Sequence, residues 1–355
     1  MNGWKLSGGV RFERNFFPKE ISFSSLYPNF PMRLPVRDED GNRIWPNNPN
    51  AVFDEFSGPI WRFGLNRSLS PSTNLRMSYG ESLRFASLAE RYVEGSLGDN
   101  IDIIGNIDLL NESGNNWEIG LVQEVKKEGL SMLLEASAFV LNYEEMIEYT
   151  LLPQVDSTNQ LIFTPEGDPM FFFKPLNLGQ TRIAGFELSA SGSAQIAGVP
   201  FRTVAGYTYN YAGDLANDPA QDSLGVFVSN FFDSFGEARD SLVAAGSLLK
   251  YRNKGALKVD VEWDMGPFTA GVALNHQTFI DAVDWYFEEL ISGLVNYREQ
   301  FSNGAKRWDA RLAYQAPKGQ RFSLIINNLT NGVVSTRPGI MGAPRHVMLR
   351  FDTTF

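Results

Sequence analysis

Apolar and polar residues alternate with period two along most of this chain. In Leu257-Lys-Val-Asp-Val-Glu-Trp263, Leu257, Val259, Val261 and Trp263 share one side, and Lys258, Asp260 and Glu262 share the other. A helix would scatter those charges around its axis, whereas a strand sends successive side chains to opposite faces. The same parity sets Leu75, Met77 and Tyr79 against Asn74, Arg76 and Ser78, and Trp117, Ile119 and Leu121 against Asn116 and Glu118. Phe201, Tyr207, Tyr209 and Tyr211 oppose Arg202, Thr208 and Asn210. Trp308, Ala310, Leu312 and Tyr314 oppose Asp309, Arg311 and Gln315, and Val347, Leu349, Phe351 and Phe355 oppose His346, Arg350 and Asp352.

Extended along the chain, the pattern predicts about twelve strands. They fall near 4–15, 59–69, 72–84, 115–126, 129–148, 170–193, 198–213, 246–264, 267–280, 305–315, 320–329 and 345–355. The connections alternate as well. Short turns at Ser70-Pro-Ser72, Lys127-Glu128, Ala197-Gly198, Gly266-Pro267 and Pro317-Lys-Gly319 are interleaved with long loops at 16–58, 85–114, 149–169, 214–245, 281–304 and 330–344. An up-and-down meander through a bilayer gives this arrangement, with its short turns on the periplasmic side and its long loops outside. A soluble sandwich alternates in and out too, but has no reason to keep every long loop at one end.

Composition narrows the picture. Aromatic residues make up 13% of the 355 and charged residues 20%, yet no window approaches the roughly 18 consecutive apolar residues of a membrane-spanning helix. The chain has no cysteine, which excludes disulfides, thiolate catalysis and cysteine-based zinc sites. A net charge of -10 argues against nucleic acid as a partner. The two histidines, His276 and His346, are too few and too scattered for a histidine metal site. No G-x-S-x-G, H-E-x-x-H or Gly-rich phosphate loop is present, and the chain is read as a non-enzyme without a resident cofactor or metal.

The charged side of the strands suits a water-filled lumen, and the side rich in Trp, Tyr, Phe and Leu suits lipid. Charges are rare on that outward parity, with Arg67 near a strand end as an exception. An arginine or lysine there costs about 2–4 kcal/mol at the bilayer midplane.

Three stretches resemble the TonB-dependent outer-membrane receptors. The first joins Ser68-Leu-Ser-Pro-Ser-Thr-Asn-Leu-Arg-Met-Ser-Tyr-Gly-Glu-Ser-Leu-Arg-Phe-Ala-Ser-Leu-Ala-Glu-Arg-Tyr92 to Gly105-Asn-Ile-Asp-Leu-Leu-Asn-Glu112 and Asn116-Trp-Glu-Ile-Gly-Leu121. It is similar to the family's "SYGxxFRAPSLAERY", "GNPxLxPE" and "NYEIGL", with Ser87, Ile107 and Asn111 standing where that pattern carries proline. The second, Asn177-Leu-Gly-Gln-Thr-Arg-Ile-Ala-Gly-Phe-Glu-Leu188, is similar to "NxGxARIxGxEL". The third runs from Leu324-Ile-Ile-Asn-Asn-Leu-Thr-Asn331 through Pro338-Gly-Ile-Met-Gly-Ala-Pro-Arg345 to Phe355 and resembles the closing "NLFN…PGxPR…F".

The resemblance implies an all-β fold, a transmembrane antiparallel up-and-down β-barrel in the Gram-negative outer membrane, in contact with the lipid bilayer. Receptors of this kind close about 22 strands around an N-terminal plug. The expectation is therefore that residues 1–355 are the C-terminal part of such a barrel, about twelve of its 22 strands, with the plug and the first strands absent. Met1-Asn-Gly3 runs straight into Trp4-Lys-Leu6 without an export signal, which also suggests a fragment. The implied function is energy-coupled uptake of a scarce nutrient such as a ferric siderophore, haem, cobalamin or glycan. TonB would act through the missing plug. Val347, Leu349, Phe351 and Phe355 resemble the C-terminal signal read by the outer-membrane assembly machinery.

The small-molecule ligand is unknown, and the long loops are where it would be met. Loop 214–240 sets Asp214, Asp218, Asp222, Asp233, Glu237 and Asp240 beside Phe227, Phe231, Phe232 and Phe235. Loop 281–303 sets Asp281, Asp284, Glu288 and Glu289 beside Trp285, Tyr286 and Phe287. Phe231, Phe232, Trp285, Tyr286, Phe287 and Arg337 are candidate ligand-facing residues, since aromatics beside acids stack on sugars, macrocycles or cationic chelates. The blander reading is that the loops pack on one another. Two other classes stay open: a self-sufficient twelve-stranded porin or enzyme, whose first and last strands would pair, and a soluble β-rich module with a closed apolar core.

Overall fold

A computed structural model describes residues 3–16, 36–37, 43–44, 54–96, 100–106, 108–156, 158, 160–215 and 248–353. Twelve antiparallel strands follow one another in chain order across one sheet, and two short loop strands, Glu94–Ser96 and Ile101–Ile104, are added to it, the second running parallel to Phe171–Phe173. The twelve are β1 (Trp4–Arg11), β2 (Ile60–Ser70), β3 (Thr73–Arg84), β4 (Glu112–Lys127), β5 (Leu130–Pro153) and β6 (Phe171–Ile196). The series continues with β7 (Val199–Asp214), β8 (Gly255–Met265), β9 (Phe268–Gln277), β10 (Ala305–Gln315), β11 (Arg321–Asn327) and β12 (His346–Asp352). Each of the twelve overlaps one of the stretches that the alternation predicts. Among the described residues β1 pairs only with β2, and β12 only with β11. The sheet is an open part of a barrel wall, which corrects the self-sufficient barrel, whose first and last strands would have met.

The register shows why the alternation is so regular. Leu6 pairs with Leu65, Leu65 with Met77, Met77 with Ile119, and Ile119 with Ala138. At the other end Met265 pairs with Phe268, Phe268 with Tyr314, Tyr314 with Phe322, and Phe322 with Phe351. One apolar face therefore runs across the whole sheet, and among the described residues nothing covers it. Leu6 and Leu349 are each 82% exposed. A soluble β module would have buried these side chains in a core. On β8 the apolar positions run from Leu257 to Met265, roughly 26 Å of strand and about 20 Å of height at a 40° tilt. That is close to the ~25 Å apolar band of outer-membrane barrels.

Aromatic rows border this band at both ends. Toward the loops, Trp61 and Phe63 lie 6.1 Å apart, Phe63 and Tyr79 6.4 Å, and Tyr79 and Trp117 4.6 Å. Toward the turns, Phe268 packs against Tyr314 at 5.1 Å and Phe322 against Phe351 at 5.0 Å, both pairs tilted. Just beyond the loop-side row, Glu81, Asn115, Asn142 and Arg182 follow one another in register. Asn142 donates to Asn115 at 3.0 Å and Arg182 to Asn142 at 2.7 Å. Apolar band, aromatic girdle, polar row is the sequence of surfaces that a bilayer interface demands.

The turns are two-residue hairpins where the chain supplies left-handed backbone. Ala197 and Gly198 both take positive φ, 51° and 78°, the geometry whose twist matches the strands it joins.

The structure differs from the sequence reading mainly above the band. β5 runs on to Pro153, past its expected end near 148, to pair with the start of β6 at Phe171, which lies where the alternation put it. β8 begins at Gly255 rather than near 246, because Tyr251 takes φ 59° and its amide bonds to Ala282 instead of a neighbouring strand. The loops also contain helices: α1 (Leu88–Tyr92), α2 (Trp285–Leu290) and α3 (Leu294–Phe301).

Candidate functional site

Two surfaces are available for function: the polar face of the wall and the layer of long loops above it. The polar face is built by cross-strand ion pairs at its β7–β10 end. Arg311 on β10 reaches across β9 to Asp260 at 2.6 Å and Glu262 at 2.9 Å. Arg202 on β7 approaches Glu262 from the other side and lies 3.2 Å from Asp264. Gly271 makes this possible. It sits between Glu262 and Arg311 in register, and a Cβ there would lie 2.5 Å from the guanidinium carbon.

The same face of β1–β4 is different. Ser7, Gly9, Gly64, Ser78, Gly80 and Ser82 line a cleft of about 540 Å³ with Arg62, Asn116, Leu141 and Tyr143. Nearer the turns, Arg76 and Glu118 pair at 3.3 Å, lying over Gly120, whose Cβ would meet the Arg76 side chain at 2.6 Å.

The loop layer is held by asparagines from the three resembling stretches. Asn177 accepts from the Leu110 amide at 2.9 Å and donates to the carbonyls of Leu110 and Glu145, so it ties the second stretch to the first. Asn111 accepts from the Ala86 amide at 3.1 Å and from Arg91 at 3.3 Å. Asn328, almost fully buried, donates to the carbonyls of Gly332 and Ala343, while its own amide donates to Asp309 at 2.8 Å. Its φ of 51° is one that asparagine tolerates better than most residues. Ser87 caps α1 in a reciprocal capping box with Glu90. Burial alone would raise the Glu90 carboxyl, but hydrogen bonds from Ser87 and the Arg84 guanidinium outweigh it and hold the group below its ordinary value.

Loop 281–303 is fixed by charge and by aromatic packing. Asp284 accepts from Lys250 at 2.5 Å and from the Tyr251 hydroxyl at 2.8 Å, and Lys250 also reaches Thr150 at 3.2 Å. Asp281 pairs with Lys254 at 3.0 Å. Burial, then the Asp284 carboxylate, push the Tyr251 phenol well above its ordinary range, so it stays protonated and keeps donating. Tyr286 packs on Phe171 at 5.4 Å and Phe287 on Phe173 at 5.6 Å. Tyr297 donates or accepts a hydrogen bond with Ser335 at 2.8 Å, linking α3 to the loop before β12.

Tyr286 and Phe287 stand together against the start of β6, and Trp285 begins the same helix. Arg337 is exposed in the last loop, where its carbonyl accepts from Ser335 at 3.1 Å. Phe231 and Phe232, with Asp218 and Asp222, lie outside the described residues. Val347, Leu349 and Phe351 sit on the outward face, 61%, 82% and 57% exposed, and Phe355 lies outside the described residues. His276 donates from Nδ1 to the Ala305 carbonyl at 3.0 Å, and Asn327 donates to His346 at 2.8 Å. Sequence reasoning missed Lys250, Tyr251 and Lys254 as loop anchors, and missed the Arg311 network. A glycine on the charged parity, as at Gly271 and Gly120, was the signal available for the network.

Comparison with known proteins follows the same lines. The family model described as "TonB dependent receptor-like, beta-barrel" matches residues 1–329. No curated protein matches the sequence. Among solved structures, the copper transporter OprC superposes with TM-score 0.61 at 13% identity, over 99% of this chain and 45% of its own. The ferric-catecholate import receptor Fiu of E. coli K12 gives 0.55 at 16%, over 98% and 42%. The hemophore receptor HasR of Serratia marcescens gives 0.54 at 14%, over 97% and 48%. At these identities the likeness concerns the fold, and the chain spans less than half the length of each of the three.

Proposed function

Because the chain belongs to the TonB-dependent receptor β-barrel family of the Gram-negative outer membrane, we propose that it is the C-terminal part of the wall of a receptor for energy-coupled uptake of a scarce nutrient. The observation that carries this reading is the division of one open sheet into two faces. One exposes Trp, Phe and Leu in a band edged by aromatic rows, and the other is lined by paired charges and small residues. The first suits hydrocarbon, and the second suits a water-filled passage, where charges paired with each other leave no strong single-sign trap for a passing solute.

Neither β1 nor β12 can lie unpaired in lipid, since each unsatisfied backbone group there costs several kcal/mol. In the proposed reading further barrel strands meet both edges, and a plug connected to TonB fills the lumen. The short coverage of the three solved structures supports that extent. The last strand, with Val347, Leu349, Phe351 and Phe355, is proposed as the part the assembly machinery reads.

Ligand contact is assigned to the loop layer. Arg337 and the loop carrying Phe231 and Phe232 are proposed to meet the nutrient. Trp285 is proposed to meet it as well, and Tyr286 and Phe287, which pack on Phe171 and Phe173, are proposed as a fixed wall for it. Ferric siderophores, haem, copper chelates, cobalamin and glycans are the substrate classes to test.

The test is genetic. The gene encoding the chain is deleted in wild-type and TonB-deficient cells, and growth is measured with each nutrient class limiting. A defect for one nutrient in wild-type cells, with no further loss in the TonB-deficient background, is expected. Uptake that is lost on deletion yet does not need TonB would overturn the reading.

A further inference from the structure

Arg67 breaks the pattern of the outward face. It lies on β2 in register with Trp4 and Leu75, on the parity that exposes Leu6, Phe63 and Leu69. Its guanidinium carbon stands 4.7 Å from the centre of the Trp4 ring. The Nε atom is shut off from solvent and has no hydrogen-bond partner, and among the described residues no carboxylate pairs with the side chain. A guanidinium presents five donors in a planar fork suited to an oxyanion. Here a ring holds one face of that fork, and among the described residues no hydrogen bond answers it.

The position says which anion is at hand. Arg67 is three residues before the end of β2 at Ser70, about 10 Å of strand from a short turn. Trp4 begins β1 on the same side. In the membrane-spanning placement proposed above, on which this inference rests, short turns face the periplasm. Arg67 then lies within reach of the headgroups of the inner leaflet, where a long basic side chain extends toward the interface.

We propose that Arg67 and Trp4 form a phospholipid site on the outer wall of the barrel, the guanidinium holding the lipid phosphate and the indole packing beside it. Leu6, Leu69 and Leu75 offer the acyl chain an apolar track. The occupant is a phospholipid and not free phosphate, because the surroundings of the guanidinium are apolar and open to hydrocarbon.

The receptor carrying this chain, purified from outer membranes, is titrated with phosphatidylglycerol and followed by native mass spectrometry. Heat-modifiable gel mobility reports folding. Arg67→Leu is expected to weaken binding of one phosphatidylglycerol about tenfold, the effect of losing a charge-assisted hydrogen bond. Arg67→Lys retains most of the affinity, and inorganic phosphate alone does not displace the lipid. Should the leucine variant fail to fold, Arg67→Gln is expected to bind as weakly as the leucine variant would. Wild-type affinity in a folded Leu or Gln variant overturns the site, and displacement by inorganic phosphate overturns its assignment to a lipid.

Discussion

The polar face of β1–β4 and the polar face of β7–β10 share the same alternation and are built on opposite principles. In the second, Arg202 and Arg311 interlock with Asp260, Glu262 and Asp264 across four strands. In the first, serine and glycine open a cleft in which Arg62 stands beside Asn116. Period two states which side of a strand meets water. It does not state whether that side is filled by its own side chains or left open for something else. The filled region pairs its charges with one another, so its contribution is rigidity. The open region has volume to give.

The largest effect expected concerns what the two regions share, their common apolar back. Ile119 lies in the middle of β4 on the outward face and is 47% exposed. Ile119→Arg should destabilise the folded protein in bilayers by about 2–4 kcal/mol, measured by denaturant unfolding in lipid vesicles. Asn116→Arg, three residues away on the polar face, should change stability by less than about 1 kcal/mol. Equal losses would erase the distinction between the faces.

The sharpest contrast between the two regions comes from a single methyl group placed in each. In Gly271→Ala the new Cβ meets Arg311, which Asp260 and Glu262 hold in place. Overpacking of this kind costs about 1–3 kcal/mol. In Gly80→Ala the nearest atom is Asn116 Oδ1 at 2.8 Å, the end of a side chain free to turn into the cleft. That change should cost under about 0.5 kcal/mol. Paired unfolding curves check both, and a reversed order would show that the cleft is the tightly packed region.

A smaller effect is expected at α1, in the loop above the open region. Ser87→Ala removes one half of the capping box and should cost about 1 kcal/mol of local stability. Glu90 carries the pH dependence. Its carboxyl lies below the ordinary value in the folded protein, so its contribution is complete above the unfolded value and is lost as pH falls through the folded one. Amide hydrogen exchange around residues 87–93 should therefore quicken on the acid side, below about pH 4, with no such change between neutral pH and pH 6.

The twelve strands were legible because two immiscible surroundings impose one parity on every residue that crosses, and Leu257 to Trp263 shows it without help from any neighbour. The loops obey no such rule. α2 exists where Asp284 meets Lys250 and Tyr251, 34 and 33 residues earlier in the chain, and separation of that kind leaves no local period. Tyr286 and Phe287 read as exposed aromatics beside acids, yet Phe171 and Phe173 supply the surface they pack on. The Arg311 network needed register as well as parity. Asn177, Asn111 and Asn328 stood inside recognisable stretches, but their work as ties between loops depends on carbonyls and amides that only folding brings near. Ser87 and Asn111, both departures from proline, proved to be hydrogen-bonding positions.

The central claim is that the apolar parity faces hydrocarbon and the charged parity faces water. The chain has no cysteine, so single cysteines introduced one at a time from 257 to 264 on β8 report without background. In the receptor embedded in bilayers, spin labels there are read against a water-soluble nickel chelate and lipid-soluble oxygen. Chelate contact at 258, 260, 262 and 264 alternating with oxygen contact at 257, 259, 261 and 263 is the predicted result. Chelate contact at every position, or at none of the eight, would contradict it.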